Sequence, residues 1–97
     1  MKTYTLSKAA ESDLEAILDY TVDTWGAKQA TAYLEGFVEC FTRLANSPGL
    51  GRACDDLKSG LKRVEYKKHV VFFRTTRSGI RILRILHQRM LPGRYLS

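Results

Sequence analysis

Arg63, Arg74, Arg81, Arg84, His87 and Arg89 crowd short stretches of the C-terminal half of this chain. Each arginine presents a rigid fork of N–H donors that matches phosphate and carboxylate oxygens, so forks converging on one concave site would bind an anion. If that anion is a phosphodiester, the same forks stabilise the charge that develops during cleavage, and a neighbouring His or Tyr can move the proton. The residues also have a plainer use, because basic side chains on a small sheet keep it soluble and protect an edge strand from pairing with another chain. Lys58, Arg77, Lys67 and Lys68 fit the plainer use. Arg63, Arg84 and His87 fit it less well, since each has an apolar neighbour; for His87 a structural hydrogen bond is the competing role.

Other chemistries find little support. His69 and His87 are far apart in sequence, neither has a ligand partner one helical turn away, and acids are nearly absent around them, so no metal site is expected. Pro48-Gly49-Leu50-Gly51-Arg52 is glycine-rich but lacks both the GK[ST] ending and a preceding strand, which makes it a turn rather than a phosphate cradle. Cys40 and Cys54 have no metal-like spacing, and Cys40 falls in a helical pattern as a small core residue. No cofactor is implied.

Charge is divided along the chain. Residues 58–97 hold eleven Lys or Arg against one acid, Glu65, whereas the first 57 residues hold five bases against nine acids; the balances of +10 and −4 give the net +6. Opposite ends should therefore face different partners. A basic patch attracts nucleic acid whatever its sequence, and it equally suits an acidic protein segment. The aromatics do not form a stacking platform, since Phe72 and Phe73 belong to an apolar run and only Tyr66 and Tyr95 look free. The start, Met1 to Leu6, has no apolar leader core, and no run approaches the roughly 18 apolar residues of a membrane span, so a cytoplasmic protein that stays off the membrane is expected.

The elements that must position these residues follow from periodicity. With 97 residues the chain makes one domain, 1–97. Thr3 to Leu6 alternates as a strand and stops at Ser7, a good helix N-cap. Ala10, Leu14, Ile17, Leu18, Thr21 and Trp25 form the inner stripe of a first helix that Gly26 ends. A second helix spans about Ala27 to Asn46, with Ala30, Tyr33, Leu34, Phe37, Cys40, Phe41 and Leu44 inside. After the breakers Asn46 to Gly51, Arg52 to Ser59 reads as an irregular loop. Strands then run over Gly60–Tyr66, His69–Arg74 and Ile80–His87, with Lys67-Lys68 as a tight turn, and Leu91-Pro92-Gly93 prevents regular structure beyond them. The expected architecture is α+β in the order β-α-α-β-β-β, a helical hairpin on one face of a mainly antiparallel four-stranded sheet. The first strand should pair beside the last, and the second sheet face should be left for a partner.

The ordered set Ala9-Ala10-Glu11-Ser12-Asp13-Leu14, Ser47-Pro48, Gly60-Leu61-Lys62-Arg63, His69-Val70-Val71-Phe72-Phe73-Arg74 and Ile85-Leu86-His87-Gln88-Arg89-Met90 resembles the ParE toxins of the RelE/ParE superfamily along essentially the whole chain. The resemblance implies a toxin of a type II toxin-antitoxin module that poisons DNA gyrase and is not itself an enzyme. It further implies a ParD-like antitoxin with a ribbon-helix-helix DNA-binding part, a hetero-oligomer with that antitoxin, and contact with DNA only through antitoxin or gyrase. On this reading Arg63, Arg84, His87, Arg89, Met90, Arg94 and Tyr95 form the toxic surface, and Trp25, Tyr33 and Phe37 extend the core towards the antitoxin. Two alternatives share the scaffold. One is a RelE-like ribosome-dependent messenger-RNA endoribonuclease, for which His87 is followed by Gln88 rather than Tyr and basic loop lysines are thin. The other is a non-toxic scaffold that only forms the complex.

Overall fold

Ser7 turns the chain from a strand, β1 (Thr3–Leu6), into a helix, α1 (Lys8–Trp25), in the computed structural model, which describes residues 2–96. Its hydroxyl accepts the Ala10 N–H at 3.0 Å and donates to the Leu83 carbonyl at 2.8 Å. One side chain thus caps the helix, an effect of about 1 kcal/mol, and ties its start to the sheet. Gly26, at φ +95°, closes α1 with its N–H on the Val22 carbonyl and accepts the Ala30 N–H that opens α2 (Ala27–Asn46). A single residue in a conformation glycine tolerates therefore makes the whole connection of the helical hairpin.

The remaining strands are β2 (Arg52–Ala53), β3 (Lys62–Tyr66), β4 (His69–Thr76) and β5 (Gly79–His87), in spatial order β1-β5-β4-β3-β2. β1 pairs parallel to β5 from Thr3 opposite Gly79 to Leu6 opposite Ile82, and the other pairs are antiparallel. The expected neighbour of β1 is thus the observed one. The sheet has five strands rather than four, because Arg52 and Ala53, expected in a loop, pair with Arg63 and Lys62. Two residues carry no periodicity that a sequence pattern could reveal.

Phe37, Phe41, Leu44 and Ala45 of α2 and Ala10 of α1 close over Val71, Phe73, Ile80, Ile82 and Ile85, making the main core on one sheet face. The opposite face was expected to lie open, and it does not. Cys54, Leu61, Phe72, Leu86 and Leu96 form a second buried cluster, with Leu57, Val70, Leu83 and Met90 packed against it. The 54–61 loop supplies one side of this cover, its ends joined by a bond from the Cys54 N–H to the Leu61 carbonyl at 2.9 Å. The C-terminal segment supplies the other side and forms a short 3-10 turn over Pro92–Arg94 where only irregular chain was expected. Near-continuous apolar content in β5 follows from this double cover. No helix among the described residues is long and apolar enough to cross a membrane.

Candidate functional site

β1 ends at Leu6, so beyond Ile82 the outer edge of β5 has no strand partner. At the same place Leu83 bulges, because Phe72 faces Arg84 while Phe73 faces Ile82. Asp13 of α1 fills the gap: its Oδ2 accepts the Ile85 N–H at 2.9 Å and the Arg84 Nε–H at 2.8 Å, and its Oδ1 accepts an Arg84 Nη2 proton at 2.8 Å. Both side chains are largely buried, at 21% and 14% exposure for Arg84 and Asp13. The hydrogen bonds from Asp13 push the Arg84 pKa above its already high ordinary value, so the guanidinium stays charged. Its last arm, Nη1, donates to the Tyr95 carbonyl at 3.1 Å, and its plane lies 5.4 Å from the Tyr95 ring centre. Arg84 is therefore bound within the fold and holds the C-terminal segment.

At the far end of β4 and β5, His69 and His87 are register partners with ring centres 5.6 Å apart. Tyr33 of α2 bonds His69 Nδ1 through its hydroxyl at 2.8 Å, while His87 Nδ1 accepts the Arg89 N–H at 3.1 Å. That acceptor role assigns the proton of neutral His87 to Nε2. The His87 N–H in turn donates to the Met90 sulfur at 3.3 Å, so His87, Arg89 and Met90 form one tight turn. Burial, with His87 beside it, lowers the His69 pKa below the ordinary imidazole value, and burial raises that of the Tyr33 hydroxyl. Both shifts favour the neutral forms of His69 and Tyr33, and Lys67 and Lys68 line the same groove.

These residues floor a groove of about 590 Å³ between the helical hairpin and the β3–β4 turn, with Ile17, Tyr20, Trp25 and Tyr33 along its helical wall. Trp25 and Tyr20 are 71% and 68% exposed. Trp25, expected on the inner stripe of α1, instead projects past the end of the core, and Tyr20 was not singled out by sequence at all. Phe37 is 0% exposed, which corrects its assignment to a contact surface: it packs between Tyr33, Phe41 and Tyr66 in the core.

The cationic residues do not converge. Arg63 lies half-buried opposite Phe72, on the face away from the helices, and pairs across to Arg52. Arg74 and Arg81 are partners near the opposite end of the β4–β5 ladder from His69 and His87. Arg89 and Arg94 are exposed, Tyr95 is 38% exposed, and Met90 is half-buried against the second cluster. The terminal segment thus presents Arg89, Leu91, Arg94 and Tyr95 outward while Met90 and Leu96 anchor it; Ser97 lies outside the described residues. No group of three or more His, Cys, Asp or Glu side chains able to hold a metal occurs among the described residues.

A family profile described as the ParE toxin of the type II toxin-antitoxin system parDE matches residues 4–92. The chain belongs to the ParE toxin family. It is similar to the toxin ParE1 of Mycobacterium tuberculosis strain H37Rv, with 43% identity over 96% of each chain, and to the toxin ParE1 of Caulobacter vibrioides, with 38% identity over the full length of both. A toxin ParE of Escherichia coli is 34% identical over 93% of this chain and 88% of its own. Among solved structures, a chain of the chromosomal ParDE system of P. aeruginosa superposes with a TM-score of 0.75 at 25% identity, covering 90% of this chain and 96% of that one. The architecture of two helices followed by a mostly antiparallel sheet is thus the ParE architecture, and both the Asp13–Arg84 pair and the His69–His87 pair fall within the matched span.

Proposed function

We propose that this ParE toxin arrests growth by poisoning DNA gyrase and is neutralised by a ParD-like antitoxin. The match to ParE toxins along residues 4–92 carries this reading. The distribution of cations supports a toxin that binds rather than cleaves: Arg63 and Arg84 flank Phe72 in one cross-strand row, but Arg84 is engaged by Asp13 and the Tyr95 carbonyl, and the Arg74–Arg81 pair lies further along the ladder. The outward residues of the terminal segment, Arg89, Arg94 and Tyr95, with the His87 turn beneath them, make the toxic surface: two charges to meet acids or phosphates and a ring for apolar contact. Arg63 and Arg84 serve it from behind, and Met90 anchors it. Trp25 and Tyr33 line the groove offered to the antitoxin, where the exposed rings of Trp25 and Tyr20 favour a bound segment.

One observation favours the ribonuclease reading, namely that Lys67, Lys68, His69 and His87 share a groove with Tyr33. Its wall of Ile17, Tyr20 and Trp25 is apolar, and the arginines that would stabilise a cleavage transition state lie elsewhere. Reversing the two exposed charges, Arg89→Glu with Arg94→Glu, is the direct test of the surface. It should raise the toxin concentration needed for gyrase-dependent DNA breakage by roughly tenfold or more while antitoxin affinity holds. Unaltered breakage by the double variant would remove the segment from the gyrase contact.

A further inference from the structure

Asp13 is separated by 71 residues from the arginine it binds, yet its carboxylate accepts three donors, two from Arg84 and one from the backbone of Ile85. Arg84 also donates from Nη1 to the Tyr95 carbonyl, and its Cζ lies over the Tyr95 ring, 5.4 Å from the ring centre. The terminal segment has few other ties. Its own bonds, from Arg94 to Leu91 and from Tyr95 and Leu96 to Pro92, shape the turn without attaching it to the sheet. Among the described residues, 91–96 is attached through Leu96 in the second cluster, with Met90 packed beside it at the segment's start, and the hydrogen bond that ties it to the sheet is this one from Arg84.

We propose that Asp13 is a positioning residue of the toxin: by fixing Arg84 it holds Tyr95, and with it Leu91 and Arg94, in the arrangement that meets gyrase. This rests on the gyrase reading above. The physical reason is that a bidentate carboxylate fixes both the position and the plane of a guanidinium, whereas a guanidinium without it rotates about its own long side chain. Loss of the carboxylate charge therefore frees Arg84, and Tyr95 loses both its carbonyl donor and the plane under its ring. Leu96 alone then fixes the end of the segment but not its rotation. Asp13 contacts no target in this account; it acts through Arg84.

The test uses the toxin with Asp13→Asn, Tyr95→Ala and the two combined, beside Glu15→Gln as an exposed α1 charge outside the bridge. Three readouts are taken: amide hydrogen exchange at Tyr95 and Leu96, the toxin concentration giving half-maximal gyrase-dependent DNA breakage, and antitoxin affinity. Asp13→Asn should speed exchange at Tyr95 and Leu96 by about tenfold or more with α2 unchanged, and should raise the half-maximal concentration by about tenfold with antitoxin affinity within about twofold. The double variant should be little worse than the worse single one, because both residues act through one bridge. Glu15→Gln should match the parent. Parental exchange in folded Asp13→Asn, or full additivity of the two changes, would overturn the bridge. Loosened exchange with unchanged gyrase breakage would overturn its link to the target. If Asp13→Asn does not fold, Arg84→Lys, which keeps the charge but loses the fork, must loosen the same two amides or the inference fails. A parental toxin that leaves gyrase untouched refutes the gyrase reading, while the exchange result still decides whether Asp13 positions the segment.

Discussion

Burial and the neighbouring His87 hold His69 below the ordinary imidazole pKa of 6.5, and this lowered value makes folding sensitive to acid. Above about pH 6.5 the ring is neutral in folded and unfolded chains alike, so its contribution to stability is complete there. As pH falls below 6.5 the unfolded chain takes up the proton first, and stability declines until the folded-state pKa is passed. Thermal melting followed from pH 8 to pH 5 should therefore fall more steeply below 6.5 in the parent than in His69→Gln, and identical profiles would contradict the assignment. Residues of this kind were only partly legible in the sequence. His87 was expected to make a structural hydrogen bond, and it does so with the Arg89 N–H. The Asp13–Arg84 pair was not legible, because nothing in a one-dimensional pattern links an acid on a helix to an arginine 71 residues later. Trp25 keeps the spacing of a core position but is the last residue of α1 and is 71% exposed, so periodicity alone places it wrongly inside.

At the scale of elements, β1 depends on how closely it approaches β5. A Cβ on Gly79 would collide with the backbone of its register partner Thr3, and it could not be relieved by a rotamer change. Gly79→Ala should therefore cost about 1–3 kcal/mol in urea unfolding and loosen β1 first, seen as faster exchange at its amides; a stable, fully protected variant would contradict the parallel pairing. The helix boundaries were readable because Ser7 and Gly26 have distinct capping chemistry. β2 was not, and neither was the cover over the second face. Cys54 and Leu57 lie in a stretch whose polar average suggests loop, although their side chains join Leu61 in one cluster. Removal of residues 91–97 would uncover Phe72 and Leu86 by taking Leu96 away, as well as deleting the outward residues Leu91, Arg94 and Tyr95. Point changes at exposed positions separate binding from folding more cleanly.

Over the whole molecule, the acidic helical hairpin and the basic sheet are two faces of one toxin. The hairpin offers an apolar groove edged by Trp25 and Tyr20, and beyond His87, which lines that groove, the chain offers a charged terminal turn bonded to Arg84. Antitoxin and target can thus address different surfaces, and an antitoxin that binds the groove must act on the terminal turn by covering it or by moving what positions it. The central claim is that the target is gyrase rather than messenger RNA. Purified toxin should be incubated with gyrase and supercoiled plasmid, and in parallel with ribosomes translating a defined message. The account predicts accumulated gyrase-dependent breaks in the plasmid with the message intact; cut message with unaffected gyrase would contradict it and make the His69–His87 groove the place to look for catalysis.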